Sequence, residues 1–381
     1  MLQQFLDAKP LYYDTIDYTR MPRAYDSIKE KLTIPKIIHL IGTNGKGTTG
    51  RFVASALYAQ NFSVGHYTSP HIINFNERIW LNASLVTEEK LQQAHTQLLE
   101  LLTPQMAKEL SYFEYTTLLA MVIFQKCDYV VLEAGLGGEH DATAVFDAQL
   151  TLITPIDKDH ETFLGSSIKE IATTKLKAIK KHAIIAKQHH SEVYDVLQSL
   201  SQTQQISYTQ VEQLLHKQDI LNAQQIASSL KLPNYLQENL KHAIATLRFL
   251  GISYTQQSFK DAHLFGRLTK FKKNILLDVG HNPLAAQAIY KALAPHKYIL
   301  IYNTYKDKEY ETILKILHPI IKHIEYIQVK DTRIESQEKL FQAFEKLGIK
   351  AHNFQHIDPQ EEYLVFGSFS VVETFLKEFH G

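Results

Sequence analysis

The chain has 381 residues, 45% hydrophobic and 21% charged, with 40 lysines and arginines against 40 aspartates and glutamates. That is an ordinary globular mix, long enough for two domains, and a net charge of zero gives no electrostatic basis for holding nucleic acid or an acidic membrane. One cysteine, Cys127, excludes a disulfide framework and a cysteine-based zinc cluster and fits a reducing cytoplasm, while no apolar run reaches the roughly 18 residues of a membrane span and the N-terminus lacks the basic and apolar regions of a signal peptide.

Residues 1–34 read as helical and polar-faced, with Tyr12, Ile16, Tyr18 and Met21 as candidate contacts. The stretch Lys36–Gly50, KIIHLIGTNGKGTTG, follows. Its apolar run predicts a buried strand at 36–41, then a glycine-rich turn, then a helix over 47–60. This is the arrangement that holds a polyphosphate. Glycines let backbone N–H groups approach it, the helix N-terminus adds positive potential, and Lys46 adds a full charge. The hydroxyl of Thr48 or Thr49 would reach a magnesium ion. The spacing carries one glycine more, between lysine and threonine, than the common phosphate-loop pattern.

A second strand at 63–67 ends at Thr68-Ser69-Pro70-His71, where an α/β fold places functional side chains. Helices are predicted around 91–101 and 112–125. Strand 128–133 ends in Glu133, before Ala-Gly-Leu-Gly-Gly, where a carboxylate beside the phosphate turn can hold magnesium. Strand 150–156 leads to Asp159-His160; taken alone, His160 reads as a polar loop residue, because magnesium prefers oxygen ligands. Lys175 falls in a predicted helix over 167–180 whose four lysines read as a solvated face. Further elements are predicted at 183–186, 191–200, 206–208, 219–230 and 234–250.

Periodicity lapses near 252–270, and a fresh series of strands and helices then runs from Asn274 to 379. Asp278-Val279-Gly280-His281-Asn282-Pro283 ends its first strand, in a pattern suited to a ribose or base, with Arg267 just before it as a phosphate contact. The expected fold is α/β. A mostly parallel, phosphate-loop-containing sheet occupies residues 1–258, and a smaller Rossmann-like α/β domain occupies 259–381, with a ligand cleft between them.

Together these stretches resemble the folylpolyglutamate synthase/dihydrofolate synthase branch of the Mur ligase family. The resemblance rests on GTNGKGT at 42–48, TSPHIINFNERI at 68–79, YFEYTT at 112–117 and VVLEAGLGGEHDAT at 130–143. It continues through Asp159-His160, IATTK at 171–175, Asn222, FGRL at 265–268, DVGHNP at 278–283, YKDK at 305–308 and VFGS at 365–368. It implies magnesium ligands at Ser69, Glu133 and His160, and a carbamylated Lys175 supporting a second metal. It implies ATP contacts at Asn44, Gly45, Lys46, Gly47, Thr48, Asn222, Arg267 and Asp278, with His281 near the nucleotide. Asp17, Phe113, Glu114, Asp141 and Ala142 become pterin-site candidates. The surroundings of Lys175 read TTKLKA where the family has EKAG, and Glu139-His140 and Ala144 replace the family's Arg-Leu and Asn around DAT.

The implied activity is ATP-dependent ligation of L-glutamate to dihydropteroate and to reduced folates through an acyl phosphate, with Lys46, Glu133, His160 and Lys175 in the catalytic machinery. The expected protein is a cytoplasmic monomer with small-molecule partners only. A folylpolyglutamate synthase lacking the second activity, another Mur-family amide ligase and a non-catalytic nucleotide-binding scaffold are the alternatives. The phosphate turn begins at residue 42, which leaves no room for the UDP-sugar domain of the peptidoglycan ligases.

Overall fold

A computed structural model describes residues 1–10 and 17–379. The candidate contacts Tyr12 and Ile16 lie outside the described residues. The chain divides into two compact units. One comprises Met1–Leu232 and Leu236–His263; the other comprises Pro233–Tyr235 and the residues from Leu264 onward.

The first unit is built on an eight-stranded sheet. In chain order its strands are β1 (Lys36–Ile41), β2 (Val64–Tyr67), β3 (Ile79–Leu81), β4 (Ser84–Leu85), β5 (Tyr129–Glu133), β6 (Leu150–Ile153), β7 (His182–Ile185) and β8 (Ser207–Gln210). Their order across the sheet is β4-β3-β2-β5-β1-β6-β7-β8. From β2 to β8 neighbours run parallel; β3 and β4 add an antiparallel hairpin at one edge. Parallel strands covered on both faces need apolar residues at consecutive positions. In β1, Ile37 packs with the N-terminal helices and the helix Tyr112–Phe124, while Ile38 packs with the helices Lys46–Ala59 and Asn234–Phe249 on the other face. Val130 and Val131 of β5 divide in the same way.

The strand order fixes where ligands can enter. The chain leaves β1 toward β2 on one side, then crosses from β5 over β1 to β6 on the other. Ligands of open α/β sheets sit at such a reversal, beyond the carboxyl ends of the strands. Here the loops after β1, β5, β6 and β2 converge there. The helix Lys46–Ala59 departs from the one-sided pattern its sequence suggests: every residue from Gly47 to Leu57 is buried.

The second unit holds β9 (Thr269–Lys272), β10 (Ile275–Leu277), β11 (Tyr298–Tyr302), β12 (Ile321–Tyr326), β13 (Ala351–Asn353) and β14 (Tyr363–Phe366). Their order is β13-β12-β11-β14-β10-β9, parallel except for β9 against β10. Leu300, Tyr302, Ile324, Leu364 and Phe366 form one core with the helices Pro283–Leu293, Tyr310–Leu317 and Gln337–Lys346. Among the described residues no helix is long and apolar enough to cross a membrane.

Candidate active site

Two glycines shape the turn after β1. Gly42 has φ 140° and Gly45 φ 90°, regions where a side chain is strained. A Cβ on Gly42 would meet the hydroxyl of Thr154 and lie 2.8 Å from its carbonyl oxygen; one on Gly45 would lie 2.7 Å from the Asn239 amide oxygen. The turn is fastened to the loop after β6. Thr43 N–H donates to the Pro155 carbonyl at 2.9 Å, and its hydroxyl donates to the Asp157 carbonyl at 3.0 Å. Gly45 caps the helix Lys46–Ala59, so the first backbone N–H groups of that helix open at the sheet's carboxyl edge.

The Lys46 ammonium bends back over the turn, donating to the carbonyls of Gly42 at 3.2 Å and Thr43 at 3.3 Å. It stands 3.9 Å from Glu133 Oε1. Glu133 ends β5, paired with Leu40 of β1, and is buried. Its other oxygen accepts from the Thr68 hydroxyl and, at 3.2 Å, from the Ser69 N–H. Two donors on one carboxylate oxygen orient the other toward Lys46. The Thr48 hydroxyl donates to the Gly45 carbonyl at 3.1 Å and accepts from the Asn239 amide at 2.6 Å.

Lys175 is 4% exposed and donates to the Gly42 carbonyl at 3.1 Å. Burial, reinforced by the nearby Lys46 charge, holds its amine down at about 7 against the pull of Asp159 and Asp141. It is therefore no part of a solvated face. The helix that carries it ends at Leu176 rather than continuing to 180, which puts Lys175 on the buried side and leaves Lys180 and Lys181 exposed beyond it.

His160 follows on the loop after β6, in the left-handed region at φ 54°. Its N–H donates to the Asp159 carboxylate at 2.9 Å, and its ring lies 3.9 Å from the same group.

Of the residues expected at a pterin site, all but Asp17 lie near one another within the same unit. Asp141 is buried; one oxygen accepts from the Gly135 and Leu136 N–H groups at 2.9 and 2.8 Å, the other from the Thr143 N–H and hydroxyl. Burial pushes its carboxyl above the usual range against the pull of those donors. Ala142 follows in the same buried turn. The Phe113 ring lies against Gly135, where a Cβ would come within 2.7 Å of it, and stacks on Tyr67 at 5.8 Å. Glu114 caps its own helix and pairs with Arg20 at 2.8 Å. A cavity of about 360 Å³ opens beside Asp141, lined by Tyr18, Met21, Tyr25, His140 and Ala144 among others. Asp17 stands apart: its carboxylate bonds Thr19 and Arg23 in its own exposed turn.

Asn222 is the one expected nucleotide contact of this unit that the glycine turn does not meet. It bonds Gln218 and the Tyr254 hydroxyl instead. The amide at the turn belongs to Asn239, on the next helix, which the sequence does not single out because its partner Thr48 lies 191 residues away. Thr68 was also passed over, although it adjoins Ser69 at the end of β2.

In the second unit, Asp278 is buried and accepts from the Leu268 and Gly280 N–H groups at 2.8 Å each and from the Tyr235 hydroxyl at 3.3 Å. Burial raises its carboxyl, opposed first by Arg267. The Arg267 guanidinium lies 5.1 Å over the Phe369 ring. His281 bonds the Val279 carbonyl at 3.1 Å, and Asn282 caps the helix that Pro283 begins.

The donor set of the first unit fits a hard divalent cation. Glu133, Ser69 and Thr48 offer the oxygen atoms such an ion prefers.

No family model matches the chain. A solved structure of Helicobacter pylori folylpolyglutamate synthetase is 38% identical, covers 99% of this chain and 97% of its own, and superposes with a TM-score of 0.81. The Haemophilus influenzae dihydrofolate synthase/folylpolyglutamate synthase is 29% identical, over 92% of this chain and 91% of its own length. A Yersinia pestis bifunctional folylpolyglutamate synthase/dihydrofolate synthase, solved with AMPPNP and a Mn ion, shares the fold at 24% identity and a TM-score of 0.83 over 100% of this chain and 97% of its own. By this extent of identity and by its fold, the chain belongs to the folylpolyglutamate synthase family of ATP-dependent ligases.

Proposed function

We propose that this protein joins L-glutamate to dihydropteroate and to reduced folates at the expense of ATP. The observation that carries this reading is the Lys46–Glu133 pair, which joins the first residue of the helix after the glycine turn to the end of the adjacent strand β5. The glycine turn and the N-terminus of the helix Lys46–Ala59 bind the triphosphate, Lys46 neutralises its terminal oxygens, and Asn239 holds Thr48 in place. Asn44, Gly45 and Gly47 complete the nucleotide grip of the first unit, and Arg267, Asp278 and His281 are the further nucleotide contacts that the family resemblance implies. Ser69, Glu133 and His160 would hold magnesium, which supplies charge neutralisation at the phosphates when bound.

A carboxylate oxygen of the pterin substrate attacks the γ-phosphorus, ADP leaves, and an acyl phosphate forms. The glutamate amine then attacks the acyl carbon, phosphate leaves, and a proton passes to solvent. Positioning and exclusion of water are the protein's tasks here. Phe113, Glu114, Asp141 and Ala142 orient the pterin side, with Asp17 at its margin. Lys175 is carbamylated: its neutral amine forms a bond to the carbon of CO₂ and releases a proton, giving an anionic oxygen ligand. Its burial among Lys46, Asp141 and Asp159 supports that reading. The protein acts as a cytoplasmic monomer.

The test is product analysis with purified protein, ATP and glutamate, using dihydropteroate and tetrahydrofolate separately. Glutamylated product from both substrates is expected. Product from tetrahydrofolate alone would leave only the folylpolyglutamate synthase activity, and product from neither would overturn the reading.

A further inference from the structure

The outer strands of the second sheet carry a cluster that the ligase chemistry leaves unused. His323 and Glu325 are two residues apart on β12, so their side chains share a face. His352 on the edge strand β13 pairs directly with Glu325 in the ladder. The imidazole Nε2 of His323 lies 3.5 Å from Glu325 Oε1, and that of His352 lies 3.4 Å from the same oxygen. The two rings stack at 4.8 Å. One ligand atom from each of the three residues lies within 4.8 Å of the others.

Glu325 is the unusual member. It is 7% exposed, and its Oε2 has no hydrogen-bond partner. A buried carboxylate oxygen without a donor costs free energy unless something else compensates it. No lysine or arginine pairs with it among the described residues.

We propose that His323, Glu325 and His352 form a binding site for a divalent transition-metal ion of the zinc class. Tetrahedral bonds of about 2.0–2.1 Å set neighbouring ligand atoms about 3.3 Å apart, close to the two imidazole–carboxylate spacings here. Two imidazoles and a carboxylate select zinc, nickel or copper over magnesium and calcium, which favour all-oxygen shells. His352 is exposed, so water completes the coordination from the solvent side. The ion neutralises Glu325 and fastens the three-residue edge strand β13 to β12. This site is independent of the ligase reading, and its residues lie outside that machinery.

The test uses chelator-stripped, untagged full-length protein, titrated calorimetrically with zinc chloride. Cobalt(II) serves as the spectroscopic probe of geometry. The parent is expected to take up one ion per chain in the presence of excess magnesium and to give the intense visible band of tetrahedral cobalt. The His323→Ala/His352→Ala double variant and Glu325→Gln should each bind more than about tenfold more weakly and lose that band, with ligase turnover unchanged. Equal zinc binding by parent and double variant would assign the ion to others of the 19 histidines and overturn the proposal. Absence of uptake by the parent would overturn it as well. The double variant removes partly exposed side chains, so it keeps the test decisive if Glu325→Gln does not fold.

Discussion

The ammonium of Lys46 and the carboxylate of Glu133 face each other at 3.9 Å, each anchored from behind. Lys46 is tied to the carbonyls of Gly42 and Thr43, and Glu133 to Thr68 and Ser69. At that separation they attract without a direct hydrogen bond. Two opposite charges are thus held side by side, one at the start of the helix after β1 and one at the end of β5, where a phosphate and its counter-ion can be received together.

Removing either charge should disable turnover more than folding. Lys46→Ala and Glu133→Gln are each expected to lower kcat by about 10²–10³, the scale seen when one preorganised electrostatic group is lost. Steady-state phosphate release with a parallel thermal melt checks this. A variant with near-parental kcat would remove that residue from the mechanism.

Asn239 should matter to nucleotide binding and Asn222 should not. Asn239→Ala leaves the Thr48 hydroxyl without its donor. The expected result is a KM for ATP raised roughly tenfold, the cost of about one neutral hydrogen bond. Asn222→Ala, measured in the same assay, should stay near the parent.

The turn has no room for a methyl group at position 42. Gly42→Ala would press a Cβ to 2.8 Å from the Thr154 carbonyl, at a φ of 140°. A loss of about 1–3 kcal/mol in denaturant unfolding is expected from the overpacking and strain. A change of a few tenths would show that the turn yields.

Lys175→Met tests burial and chemistry together. As the unmodified amine, Lys175 is buried beside another cation, so in buffer freed of carbon dioxide an uncharged side chain of similar length should hold or raise the melting temperature near neutral pH. Turnover should nevertheless collapse. Isotopically labelled bicarbonate should give a carbamate signal in the parent that the variant lacks; its absence from active parent enzyme would exclude carbamylation.

Acid should destabilise the fold through its buried histidines. Burial, with Lys180 adding to it for His39, holds the rings of His39 and His242 at about 4, against 6.5 when exposed. Between those values the unfolded chain binds more protons than the native one, so stability falls as pH drops from about 6.5 toward 4. Unfolding midpoints of the parent should decline over that window. The decline should be shallower in His242→Gln, and identical slopes would contradict the assignment.

The parallel strands were legible because burial on both faces writes them as unbroken apolar runs such as Ile37–Ile38 and Val130–Val131. Strands β4, β9 and β13 were not, because they are edge strands with exposed residues and no apolar run, and β3 adds only three residues beside one of them. Within the site, the glycine turn, Glu133 and Ser69 stood out because each ends or follows a strand. Asn239 did not, because its partner Thr48 lies 191 residues away and only the folded chain brings them together. Lys175 was hidden by its lysine neighbours, since nothing local shows that its helix stops one residue later.

The contact between Gly138 and the Lys175 backbone has a historical consequence. A Cβ at position 138 would lie 2.8 Å from the Lys175 Cα, and main chain cannot swing aside as a side chain can. No single substitution at 138 leaves both its own loop and the lysine's helix where they are. A lineage of this protein would have to move one or the other, the helix taking with it the amine that reaches Gly42, before position 138 became free to vary.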